Sequence, residues 1–330
     1  MNHNKIAVII LTHNRFEEFG LALKSVLMQK HAPFHIFVFD NASKKPVSEY
    51  FPKNSKITYV RHRRNIGFAK NFRLATNYVK IRGFKYSFLL GDDDILAYSG
   101  VLRDLLTLIK KDKDVHVVRG GYVEFISKPP RFTRITIHDH KYLEQVQGLE
   151  EVDKGVILHI TSYSGILYRN DYFNPYLCRD VDLITPFIAP LLKILIKKKF
   201  NFLPNKITVL VKTEHMQLAT LVYNEHTSNQ DALEKSYKII GRKYTRHVSV
   251  AELINYKIYS GSTRNIHKYY QECLALNKGL ESIPYKVVYC IPSSALEITK
   301  LLYKNFSHLL ISRDLKINHK YFNTNLFDDE

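Results

Sequence analysis

Tyr86-Ser87-Phe88-Leu89-Leu90-Gly91-Asp92-Asp93-Asp94 is an apolar run that stops at three adjacent carboxylates. The run from Tyr86 to Leu90 reads as a buried strand, and the glycine and acids after it as the loop at its carboxyl end. Three runs upstream have the same design. Ile6-Ala7-Val8-Ile9-Ile10-Leu11 is continuously apolar and rich in β-branched residues, as a parallel strand buried on both faces requires. It ends at Thr12-His13-Asn14-Arg15. A second strand, Phe34 to Phe39, ends at Asp40-Asn41, and a third, Ile57 to Val60, leads into Arg61-His62-Arg63-Arg64-Asn65.

Helical spacing fills the gaps. Phe19, Leu23, Val26 and Leu27 follow the first strand, with Asn14 able to cap the helix and Glu17 and Glu18 in its positive first turn. Phe68, Phe72, Ala75 and Val79 follow the third strand, and Leu102, Leu105, Leu106 and Ile109 the fourth. This alternation predicts right-handed crossovers and a mostly parallel sheet with helices on both faces. Ligands of such sheets bind outside the carboxyl ends of the strands. The polar clusters at Thr12–Arg15, Asp40-Asn41 and Asp92–Asp94 therefore converge on one rim.

From about Val115 the pattern changes. Val115 to Val118 and Tyr122 to Ile126 read as strands around Gly120-Gly121, with later strands at Ser162 to Tyr168 and Lys206 to Lys212. After about Glu214 the spacing is helical, with many tyrosines and lysines. The boundaries expected are residues 1–215 for a catalytic α/β domain and 216–330 for a mostly helical C-terminal region.

The 330 residues are 45% hydrophobic and 24% charged, which excludes global disorder. Three dispersed cysteines, Cys178, Cys273 and Cys290, exclude a disulfide scaffold and a CxxC zinc site and suit a reducing compartment. The formal charge of +18 draws the protein toward nucleotides, nucleic acid or an anionic membrane face. Leu183 to Ile196, the best candidate span, is short and broken by Pro186, Pro190 and Lys193. The N-terminus does not read as a secretory signal. The location expected is cytoplasmic, with peripheral membrane contact open.

Each polar cluster has two readings. Asp92-Asp93-Asp94 is either a solvated acidic turn or a set of hard oxygen ligands for Mg²⁺ or Mn²⁺ shared with substrate phosphates. Asp40 is either the head of an Asx-turn or the acceptor of a ribose hydroxyl or base N–H. Thr12–Arg15 either caps a helix or presents its N-terminus to an anion. Arg61–Arg64 is a basic run, and Gly67 at a helix start permits close backbone approach to a ligand. No Walker A and no GxGxxG sequence occurs, which argues against P-loop and dinucleotide-binding enzymes.

Taken together, strand–Thr-His-Asn-Arg, Phe-Asp-Asn-Ala-Ser, Arg-Asn-Ile-Gly-Phe-Ala-Lys-Asn and Leu-Gly-Asp-Asp-Asp-Ile-Leu resemble the family 2 glycosyltransferases of the GT-A fold, over about residues 5 to 110. The later half more loosely resembles bacterial O-antigen and capsule enzymes of the abequosyltransferase-like group. The resemblance implies a Rossmann-like nucleotide-diphospho-sugar transferase fold. It implies a donor site in which Thr12, Asn14 and Arg15 form the nucleotide loop and Asp40 contacts the nucleoside. Asn65, Gly67 and Asn71 flank the donor, and Asp92, Asp93 and Asp94 form the DxD-type block, Asp94 first among the ligands of Mn²⁺ or Mg²⁺.

It further implies an inverting hexosyltransferase. A nucleotide sugar, with UDP-sugars first and dTDP-sugars second, is attacked by a saccharide or lipid-linked saccharide acceptor whose proton a general base removes. Family members often carry Glu-Asp-x-Asp-Leu, where this chain has Arg179-Asp180-Val181-Asp182-Leu183. Asp180 is the first candidate base and Asp182 the second. Both also suit the first turn of a helix. His215, in Lys212-Thr213-Glu214-His215, is a candidate third metal ligand or a surface histidine. Two other readings compete: a nucleotidyltransferase, although Leu11–Arg15 has no Gly-rich loop, and a nucleic-acid-binding protein, although the basic residues are scattered and the rim carboxylates repel phosphate.

Overall fold

Seven consecutive residues of β1 (Ile6–Thr12) are buried, so this strand is covered on both faces. It pairs in parallel with β2 (Phe34–Asp40) on one side and β4 (Tyr86–Gly91) on the other, and β3 (Ile57–Arg61) closes the edge beyond β2. The computed structural model describes residues 5–52, 56–127, 130–136, 146–147, 163–178, 185–212, 235–241 and 283–296, with 267, 270, 271 and 274.

The strand period sorts the apolar residues into two layers. Ile9 and Leu11 face one way with Phe37 and Phe39. Against them pack Phe72, Ala75 and Val79 of α2 (Phe68–Ile81) and Ile188, Leu191 and Leu195 of α4 (Ile188–Leu195). Val8 and Ile10 face the other way with Val38 and Phe88. There they meet Phe19, Leu23 and Val26 of α1 (Phe16–Leu27) and Leu102, Leu105 and Ile109 of α3 (Val101–Lys111). Each buried Leu, Ile, Val or Phe contributes about 1.5–3 kcal/mol. Helices on both faces therefore follow from strands with no polar face.

After β4 the pairing becomes mixed. The later strands are β5 (Ile95–Leu96), β6 (Val115–Ser127), β7 (Pro130–Thr136), β8 (Val146–Gln147), β9 (Ile166–Arg169) and β10 (Lys199–Lys212). β9 inserts between β4 and β6, antiparallel to both. β10 runs parallel to β6 but antiparallel to β5 and β8. The main path is β3-β2-β1-β4-β9-β6-β10-β5, with β7 on β6 and β8 on β10. The sheet is thus Rossmann-like and parallel through its first four strands, then mixed.

Two local expectations are corrected. Asn14 does not cap α1: Arg15 holds the cap position without a side-chain capping bond, and Asn14 sits at φ 58° with its side chain turned to another loop. Gly120-Gly121 does not divide two strands, because β6 runs through both. A Cβ on Gly120 would lie 2.2 Å from Thr208 Cγ2 of β10, so glycine serves close strand approach here and not a turn. β10 in turn bulges between Leu203 and Ile207, where Pro204 cannot donate to the ladder. Further along the chain, α5 (Ile283–Cys290) is a helix.

Candidate active site

The register of the parallel strands builds the rim. Thr12 is level with Asp40, Asp40 with Arg61, and Leu11 with Gly91. Four loops far apart in sequence therefore leave the sheet at one level and one end.

The acid block sits closest to the sheet. Asp92 and Asp94 are buried. Arg15 Nη1 donates to Asp92 Oδ1 at 2.8 Å and to Asp93 Oδ2 at 2.7 Å, joining the first loop to the fourth. Asp94 has neutral donors instead: the Ser164 hydroxyl and, at 3.0 Å, the backbone N–H of Lys212. Burial pushes Asp94 up to about 8, reinforced by the charge of Asp93 and opposed by Ser164 and Lys212. Burial also raises Asp92, to about 6, with Arg15 opposing and Asp93 adding. Three carboxylates share the single cation of Arg15, and buried charge left in such excess favours a further cation. Hard carboxylate oxygens suit Mg²⁺ or Mn²⁺. Among the described residues no group of three His, Cys, Asp or Glu is arranged as a metal cage. One or two carboxylates with substrate oxygens completing the shell is a common way to hold such an ion, and the carboxylates here could serve in that way.

The first three loops are laced by amides. Asn14 N–H donates to Ser43 Oγ at 2.9 Å, and Lys44 N–H donates to Asn14 Oδ1 at 2.7 Å. Asn41 Nδ2 donates to Asn65 Oδ1 at 2.8 Å, while Asn41 Oδ1 accepts from Ile66 N–H. Asn65 Oδ1 also accepts from Gly67 N–H. Gly67 has φ +80° with open space around its missing Cβ, so the backbone conformation, not crowding, favours glycine there.

Asp40 is fully buried, and its carboxylate is occupied within the protein. Ser43 N–H donates to Oδ1 at 2.8 Å and Tyr59 Oη to Oδ2 at 2.6 Å, with Arg61 Nε 3.4 Å from Oδ2. Burial, then the bond to Asp40, raises Tyr59 well above the usual phenol range, keeping it a neutral donor. Here Asp40 holds the loop in its turn, so the Asx-turn reading accounts for its contacts. Asn71 is also buried and structural: Nδ2 donates to Phe39 O, and Oδ1 lies 2.8 Å from His62 Nε2.

The family model for "Glycosyl transferase family 2" matches residues 7–177, more than half of the 330. The chain belongs to glycosyl transferase family 2. Among curated relatives, galactofuranosyltransferase GlfT1 of Mycolicibacterium smegmatis is 31% identical over 109 residues, 32% of this chain and 36% of that protein. An uncharacterized glycosyltransferase of Rickettsia conorii is 36% identical over 98 residues, 29% of this chain and 16% of that one. The matched stretches thus span well under half of either relative. The chain also aligns with the crystal structure of S. aureus TarS 1-349 in complex with UDP-GlcNAc, at 15% identity and TM-score 0.48, covering 85% of this chain and 78% of that one. For mannosyltransferase PcManGT from Pyrobaculum calidifontis, in complex with GDP-Man and Mn²⁺, the values are 12% and 0.44, covering 92% and 88%.

In this family 2 chain Thr12, Asn14, Arg15, Asp40, Asn65, Gly67, Asp92, Asp93 and Asp94 gather at one rim, and Asn71 braces it from α2. Asp180, Asp182 and His215 lie outside the described residues. Three residues near the acids have roles that no motif announces. Ser164 accepts from Gly91 N–H at 2.7 Å and donates to Asp94. Gly91 leaves the space that the acids occupy: a Cβ there would lie 2.7 Å from Asp94 Oδ2. Arg119, fully buried on β6, has its Cζ 4.6 Å from the Tyr122 ring centroid. Burial lowers its pKa to about 10, while the charges of Tyr122 and Asp94 oppose that fall. Its one sequence signal is a lone cation between the run Val115–Val118 and Gly120-Gly121.

Proposed function

We propose that the chain is an inverting, metal-dependent hexosyltransferase of GT-A type. It moves a sugar from a nucleotide-sugar donor, UDP-sugars first, to a saccharide or lipid-linked saccharide acceptor in bacterial surface-polysaccharide synthesis. The observation that carries this reading is the convergence of Thr12, Asp40, Arg61 and the Gly91–Asp94 turn at the carboxyl ends of four adjacent parallel strands, with two buried carboxylates among them. A nucleotide sugar would supply the remaining oxygen ligands of a cation held by these carboxylates. The relative named a galactofuranosyltransferase supports sugar transfer as the reaction class.

In this reading the Asn14, Asn41, Ser43 and Asn65 loops receive the nucleoside, and Asp40 keeps their shape. Asp94, with Asp92 or Asp93, would hold Mn²⁺ or Mg²⁺. The ion, when bound, supplies Lewis-acid stabilisation of the departing diphosphate. Asp180, or Asp182 after it, accepts the proton of the attacking hydroxyl. The cytoplasmic location and the abequosyltransferase-like grouping rest on the sequence alone. So does the division into a catalytic 1–215 and a helical 216–330.

The test is a donor screen: the protein is incubated with Mn²⁺ and single nucleotide sugars, and nucleotide release is measured. Turnover of one donor, abolished by EDTA, is the expected result. Release from none, with a duplex oligonucleotide raising the melting temperature instead, would replace this reading with nucleic-acid binding.

A further inference from the structure

Between Glu49 and Asp92 the chain carries ten Lys and Arg residues and no Asp or Glu. This stretch forms β3, the edge strand of the sheet, and the whole of α2. α2 spends Phe72, Ala75 and Val79 on the core. The opposite stripe, at spacing i, i+4, i+7 and i+11, is Lys70, Leu74, Asn77 and Ile81. Leu74 is 40% exposed and Ile81 71%, the highest exposure of any large hydrophobic among the described residues. Helical geometry puts Arg73 and Lys80 along one flank of this stripe and Arg82 along the other. Lys80 and Arg82 are held in place there. Lys80 Nζ donates to Phe173 O at 2.7 Å, and the Arg82 guanidinium lies 3.2 Å from the Tyr78 ring centroid. Arg63 and Arg64 are exposed on the loop just before the helix.

An apolar strip between cations, in a stretch of sequence that holds no acid, matches one kind of surface. An anionic bilayer offers negative headgroups over a hydrocarbon layer, and basic amphipathic helices lie at that boundary. A nucleic acid would use the cations but gain nothing from Leu74 and Ile81. We propose that the outer face of α2, with Arg63 and Arg64, docks on an anionic lipid bilayer, Leu74 and Ile81 entering the headgroup boundary. Elsewhere, α5 exposes Ile283 and Val287, but Lys286 is its only cation. Among the described residues no helix is long and apolar enough to cross a membrane, so the contact proposed is peripheral.

Flotation of the full chain tests the surface, using phosphatidylcholine vesicles with and without phosphatidylserine, at low and high salt. Three double variants are compared: Leu74→Glu with Ile81→Glu, Lys70→Glu with Arg73→Glu, and Ile283→Glu with Val287→Glu. The wild type is expected to float only with phosphatidylserine and at low salt. Each α2 pair is expected to lower the bound fraction about tenfold or more, and the α5 pair to leave it unchanged. All three are expected to keep the wild-type melting temperature, since none of these side chains belongs to the buried core; if one α2 pair does not fold, the other decides. Equal binding to neutral vesicles, binding that survives both α2 pairs, or loss confined to the α5 pair would overturn the proposal. So would a wild type that binds no vesicle, whether it binds a duplex oligonucleotide or self-associates through this face in sedimentation.

Discussion

Gly91 and Asp94 are packed so closely that a single methyl group on Gly91 would lie 2.7 Å from Asp94 Oδ2. The same absent methyl would stand 3.1 Å from Asp93 Oδ1 and from Ser164 Oγ. The glycine at the end of β4 is therefore part of the acid block, although it carries no functional group. Gly91→Ala is expected to push the carboxylates and Ser164 apart. Overpacking of this size costs about 1–3 kcal/mol, and sugar transfer should fall further than stability does. Urea denaturation and donor turnover measured on the same preparation check this. Wild-type turnover in a folded Gly91→Ala protein would remove the geometric role.

Asp94→Asn keeps the shape of the side chain and removes its charge. Transfer is expected to drop by about 10²-fold or more, in line with loss of a Lewis acid worth several kcal/mol. The variant should also lose the rise in melting temperature that Mn²⁺ gives the wild type. Because Ser164 donates to Asp94, Ser164→Ala is expected to show a smaller defect of the same kind.

Asp40→Ala strips Ser43 N–H and Tyr59 Oη of their acceptor inside the protein. Leaving such donors unsatisfied costs about 1–3 kcal/mol each. The expected result is a destabilised protein with weakened nucleotide affinity, read by chemical denaturation and by titration with UDP and Mn²⁺. A variant of wild-type stability that has lost only nucleotide binding would instead make Asp40 a direct ligand.

Asp104 tests the link between charge and pH. Burial raises its pKa, but bonds from Lys206, Arg103 and Tyr98 outweigh burial and hold the carboxyl below its usual value. A depressed folded value means stability that is present above the ordinary carboxylate pKa of about 4 and lost as the pH falls through the folded one. Asp104→Asn is therefore expected to be less stable than wild type at neutral pH. The gap should close as the pH drops below about 4. Denaturation curves of both proteins across that range measure it; a gap independent of pH would show that shape, not charge, is what Asp104 contributes.

Asp180→Asn is expected to bind donor normally and lose kcat by about 10²–10⁴-fold, as removal of a general base does. An active Asp180→Asn beside a dead Asp182→Asn would exchange the two roles.

What the sequence alone determined is the set of elements whose signals are local. β1 to β4 read as apolar runs and α1 to α3 as helical periods, with boundaries at or within a residue or two of those observed. Parallel strands joined by helices must bring their carboxyl ends together, so the rim and most of its residues followed from chain order. The tertiary structure decided what spans long separations. Arg15 meets Asp92 across 77 residues, Ser164 meets Asp94 across 70, and Lys212 N–H meets Asp94 across 118. No periodicity encodes such pairs, because they depend on β9 inserting between β4 and β6 and on β10 ending beside the acids. Gly120 shows the same limit: it reads as a turn until Thr208 of the adjacent strand occupies the space where a side chain would stand.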